Sequence, residues 1–152
     1  MNKNILLIST DYFLTPPEGY GGIERIVALA YKYYSKHGYQ VDVVSKEGSK
    51  FHTFNHDQLR KINFSKYKHI LVYKYDFVTV GFLDKLNLGN VYIILQNNYS
   101  EKLKYLSNLR HSKISVLTEQ QKEQFNNHIN TPLSITPNSI DVGQFRILEN
   151  TK

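Results

Sequence analysis

The feature that most constrains this chain is a repeated change of hydrophobic period. Short continuous apolar runs alternate with stretches in which apolar residues recur every three or four positions. A continuous apolar run suits a strand buried on both faces, and such strands belong to parallel sheets covered by helices. The stretches of helical spacing then supply the crossovers between strands. Residues 4–9 form the first run, and a Pro- and Gly-rich loop follows over residues 10–22. Helical spacing then runs through Ile23, Ile26, Val27, Ala30 and Tyr34. Gly38, directly after Lys36 and His37, marks the helix stop. Residues 40–45 read as the second strand and complete a βαβ unit.

The same alternation continues downstream. Strands are expected at residues 69–74, 91–95, 113–117 and 133–136, with a short helix at 56–62. An amphipathic stretch covers 77–86, with Asp76 as its N-cap. Leu103, Leu106 and Leu109 show helical spacing, and residues 119–128 read as a helix anchored by Phe125. Six strands with helices between them imply an α/β fold, a Rossmann-like doubly wound parallel sheet. No repeat, low-complexity tract or second domain interrupts it, so residues 1–152 read as one domain.

Composition removes several classes of function. The chain has 152 residues, 41% hydrophobic and 21% charged, as expected of a globular domain. No stretch approaches the roughly 20 apolar residues of a membrane-spanning helix. Lys3 precedes four apolar residues, fewer than the about 7 of a secretory signal, so the cytoplasm is the expected compartment. With no cysteine, disulfides, thiolate metal sites and Cys nucleophiles are excluded. The net charge of +6 fits attraction to an anionic partner, but the basic residues are dispersed and read first as solvated surface. The densest stretch holds Lys102, Lys104, Arg110, His111 and Lys113. No basic stripe or aromatic stacking pattern marks a nucleic-acid binder.

The most informative local segment is Pro16-Pro17-Glu18-Gly19-Tyr20-Gly21-Gly22-Ile23-Glu24-Arg25. It follows the first strand and opens the first helix, where open α/β sheets bind ligands. Glycines there let the backbone approach a ligand, and the helix N–H groups favour an anion. Gly19 and Gly21 fit the first two places of a dinucleotide fingerprint, but Glu24 occupies the third and the loop is far too long. No nicotinamide, flavin or P-loop site is expected, and no cofactor. A plain surface connection would account for the segment equally well. His52 and His56 are spaced i, i+4 but lack the Glu of a zinc motif, so no metal site is expected either.

Together, residues 4–9, Pro17, Gly19-Tyr20-Gly21-Gly22-Ile23-Glu24-Arg25 and Leu29-Ala30 resemble the opening of family 4 glycosyltransferases. His37-Gly38-Tyr39 resembles the family's turn into the second strand, and Thr118-Glu119 its later helix start. Pro137-Asn138-Ser139-Ile140-Asp141, with Phe145, resembles its junction between domains. The resemblance spans residues 4–146, and the two end segments at their correct spacing make it specific.

The resemblance implies one half of a GT-B fold. The chain would be the acceptor-side domain of a retaining enzyme that transfers a sugar from a nucleotide-sugar donor. Gly21 and Gly22 would face the interdomain cleft, with Glu24 and Arg25 supporting that loop or touching ligand. Asn138 and Asp141 would form the interdomain junction. The donor pocket would lie in a C-terminal domain that this sequence does not include, so the chain alone is expected to be weak or inactive. Where many members carry a histidine near the reacting sugar, this chain has Leu95-Gln96-Asn97-Asn98. Gln96 or Asn97 could bond a sugar hydroxyl, or cap the helix near Tyr99, but neither serves as acid or base. No catalytic residue is assigned. The expected partners are the nucleotide sugar and an acceptor, a separate donor-binding chain, a membrane touched peripherally, or a second copy. The rival reading is a non-catalytic Rossmann-type module for a phosphorylated ligand.

Overall fold

A computed structural model of the chain describes residues 2–136. Six strands, β1 (Asn4–Ile8), β2 (Gln40–Val44), β3 (His69–Val72), β4 (Val91–Ile94), β5 (Lys113–Val116) and β6 (Leu133–Ile135), form one sheet. Their order is β2-β1-β3-β4-β5-β6, and every pair is parallel. The α-helices are α1 (Gly22–Lys36), α2 (Phe77–Lys85) and α3 (Glu119–Asn126), with 3-10 helices at His56–Lys61, Phe64–Lys66 and Glu101–Asn108. The fold is the Rossmann-like doubly wound α/β sheet that the periodicity implied. Its strand order reverses direction between β1 and β3, which is the topological switch point of such sheets.

The two faces of the sheet carry separate cores. On one, Leu6, Ile8, Ile70 and Ile93 pack with Val80 and Leu83 of α2 and Phe125 of α3. On the other, Ile5, Leu7 and Val43 pack with Val27 of α1. Successive residues of β1 therefore point to opposite cores, which is why its sequence is continuously apolar. Each such side chain contributes roughly 1.5–3 kcal/mol by leaving water.

Helix α1 stops as its sequence predicts. Gly38 takes φ 84°, and the N–H groups of Gly38 and Tyr39 donate to Ser35 O (3.2 Å) and Tyr34 O (3.0 Å). That is a Schellman closure, with the left-handed position filled by glycine. Asp76 caps α2 as expected, accepting from Thr79 N at 3.0 Å.

Every expected strand is present but ends one or two residues early. Ser9, Leu95 and Thr136 leave the strands yet still donate N–H to Val44 O, Ser115 O and Val116 O, at 2.9, 2.9 and 2.7 Å. The Leu103–Leu106 spacing is realised as a 3-10 helix rather than an α-helix. Residues three apart eclipse one another in 3-10 geometry, and both leucines are buried. Among the described residues, no helix is long and apolar enough to cross a membrane.

Candidate functional site

At the carboxyl end of the strands, the connections after β1 and β3 diverge at the switch point and leave a crevice of about 420 Å³. Thr10 and Tyr12 line it from the loop after β1, and Lys74 and Asp76 from the segment after β3. Asn97 and Lys102 close it from beyond β4, and Tyr73, Tyr75 and Tyr105 supply aromatic wall. The size is that of a small-molecule site.

Hydrogen bonds fix these walls. Tyr105 OH donates to the Tyr75 carbonyl, and Gln96 N–H donates to Tyr75 Oη at 3.3 Å. Lys74 Nζ bonds Asp76 Oδ2 at 2.8 Å and Thr79 Oγ1 at 3.3 Å. Lys102 makes no ion pair with another described residue. Among the described residues it is the crevice's uncompensated charge.

The electrostatics leave a site of fixed protonation. Burial pushes the Tyr73, Tyr75 and Tyr105 phenols up, Tyr105 to about 12, so all three remain neutral donors near pH 7. Burial alone would raise the Asp76 carboxyl, but Lys74 and the Thr79 donors outweigh it and hold it below the usual carboxylate range. Behind the Lys74–Asp76 pair lies a second cavity of about 400 Å³ that contains His56, whose basicity burial lowers.

Gly21, Gly22, Glu24 and Arg25 do not line this crevice, and the glycine loop is locked from within. Gly21 is buried at φ 154°, and a Cβ there would lie 2.8 Å from Pro17 Cβ and 3.0 Å from Glu24 Oε2. Gly22 is exposed, and a Cβ on it would meet nothing within 4 Å. Glu24 is 3% exposed and accepts a hydrogen bond from Thr10 Oγ1. Arg25 is exposed, its guanidinium donating to Gly19 O at 2.9 Å. Both side chains hold the loop itself. Its link to the crevice runs through Ile23, which lines it, and through the Glu24–Thr10 contact.

Of the two candidate amides, Asn97 faces the crevice, whereas Gln96 meets Tyr75 through its backbone. The cap position of the following 3-10 helix belongs to Ser100. Asn138 and Asp141 lie outside the described residues. His52 bonds Ser45 Oγ at 2.8 Å, apart from His56 in the second cavity.

Sequence reasoning did not single out Thr10, Tyr105 or Lys102 as neighbours, because the topology brings them together from separate connections. Asp76 was legible as a cap but not as half of an ion pair. The basic stretch at residues 102–113 is divided: Lys102 stands at the crevice, while Arg110, His111 and Lys113 lie toward the amino ends of the strands. Compared with models of protein families, with curated proteins and with solved structures, the chain matches none.

Proposed function

We propose that this chain is the acceptor-side half of a retaining glycosyltransferase, which moves a sugar from a nucleotide-sugar donor held by a second domain or chain. The observation that carries the reading is the crevice at the switch point, walled by tyrosines, Asn97 and Lys102 and reached by Ile23 at the start of α1. Flat aromatic faces beside amide and hydroxyl groups suit a sugar ring, which has apolar faces and polar edges. The phenols and the paired Asp76 keep one protonation state near neutral pH, so these groups bind and orient an acceptor rather than exchange its proton. In this reading, backbone N–H groups at the start of α1 help to stabilise the departing diphosphate once the donor half is in place. The alternative, a non-catalytic module for a phosphorylated ligand, draws on Lys102.

NMR titration of the 152-residue chain with oligosaccharides, and separately with nucleotide sugars, distinguishes the two. Saccharides are expected to shift the amides of Thr10, Asn97 and Tyr105 at millimolar concentration. Asn97→Ala is expected to weaken that binding about 2- to 12-fold, the value of one neutral hydrogen bond. Nucleotide sugars filling the crevice while saccharides do not would favour the module and sink the acceptor reading. Robust sugar transfer by the chain alone would overturn its description as a half-enzyme.

A further inference from the structure

A second groove lies at the opposite end of the sheet and belongs to neither reading of the crevice. It has about 740 Å³ and runs between the turn into β5 and the segment that leads into β6. Leu109, Ile114, Pro132 and Leu133 give it an apolar floor, and its rim carries the cations Arg110 and Lys113 together with His111. Among the described residues, no Asp or Glu lines it.

This rim is held in place. Asp84, 7% exposed at the end of α2, accepts three consecutive backbone N–H groups, from Arg110 (3.1 Å), His111 (2.9 Å) and Ser112 (2.8 Å). The clamp fixes the backbone that carries Arg110 and His111, and it uses the Asp84 charge internally. Lys113 also lines the groove, and its ammonium rests 5.1 Å from the centre of the Tyr92 ring, just outside it.

The surroundings have the same sign. In an all-parallel sheet, every segment that leads into a strand arrives at one edge. Those segments bring Lys3, Lys36, Lys66, Lys68, Lys85 and Arg110 to the edge where the groove opens. Among the described residues the acids there are Asp84 and Asp42, and the latter is paired with Lys66 at 3.4 Å. Basic residues at helix carboxyl ends complement helix dipoles, which accounts for Lys36 and Lys85. It does not account for Lys3, Lys66, Lys68 and Lys113, which lie outside the α-helices.

We propose that this groove is a second binding site, selective for an anionic amphiphile: a phosphate or carboxylate group seated against Arg110 and Lys113, with an apolar body along Leu109, Pro132 and Leu133. An inorganic anion alone leaves the floor unused, and a neutral amphiphile leaves the cations unused. The combination is what the groove selects.

The test is an NMR titration of the full chain with three probes, each below its micelle-forming concentration where it has one: dihexanoyl phosphatidic acid, dihexanoyl phosphatidylcholine and inorganic phosphate. Phosphatidic acid is expected to shift amides within residues 107–113 and 130–134, to leave Asn97 and Lys102 unchanged, and to bind at least about tenfold more tightly than the other two. Arg110→Gln combined with Lys113→Gln, both exposed positions, is expected to weaken it by about tenfold or more, the loss of charge-assisted contacts. Equal binding of the choline lipid reduces the site to an apolar slot, and equal binding of phosphate reduces it to a counterion site. Either result overturns the proposal, as do shifts confined to the crevice, no shifts, or an unaffected double variant whose amide spectrum shows it folded.

Discussion

At the scale of single residues, the adjacent glycines 21 and 22 have different reasons for being glycine. Gly21 sits where Pro17 and the Glu24 carboxylate leave no room for a Cβ, in a backbone conformation that side chains rarely adopt. Gly22 opens α1 with free space around it. Gly21→Ala should therefore lower stability by about 1–3 kcal/mol through overpacking and backbone strain. Gly22→Ala should be neutral or stabilising by up to about 1 kcal/mol, since alanine is the better helix former. Urea unfolding of the two variants checks this, and equal losses would refute the distinction. The pair and its place before a helix were legible in the sequence. The reason for Gly21 was not, because it depends on the loop folding back so that Pro17 meets the helix start. His56 was equally hidden: nothing in its spacing shows that it stands behind Lys74 and Asp76.

At the scale of elements, strands and helices were readable because each buries a face whose period is written in the residues, as in β1 and α1. The sequence left open which turns would be 3-10, and the spacing of Leu103 and Leu106 fits either helix. It also hid the role of Asp84, an acid near the carboxyl end of α2, where the helix dipole disfavours it. Its three N–H partners come from the turn into β5, so it ties α2 to that strand. Burial alone would raise its carboxyl, but the donors from His111, Arg110 and Ser112 outweigh burial and hold it below its ordinary value. A depressed folded-state value contributes stability above the ordinary carboxylate range and loses it as pH falls through the folded-state value. Asp84→Asn is accordingly expected to cost about 2–3 kcal/mol at pH 7. The gap from the parent protein should narrow below about pH 4. Chemical denaturation at pH 7 and pH 3 measures both, and an equal gap at the two pH values would contradict the clamp's charged state.

At the scale of the whole molecule, two histidines set the sign of the response to mild acid. Burial lowers the basicity of both His56 and His69, and for His69 the charges of Lys68 and Lys113 lower it further. Protonation then favours the unfolded chain, so stability is complete above about pH 6.5 and declines as pH falls toward the folded-state values. The double variant His56→Asn, His69→Asn should flatten the fall in Tm between pH 7 and pH 5, and an unchanged slope would show that other groups govern it. The net charge of +6 was plain in the sequence, but its arrangement was not, since the lysines are scattered until the topology collects them. The fold also puts those lysines and the crevice at opposite ends of the same strands, roughly 17 Å apart along the sheet. Occupancy of the groove therefore leaves the crevice open, and whatever covers the crevice leaves the groove accessible.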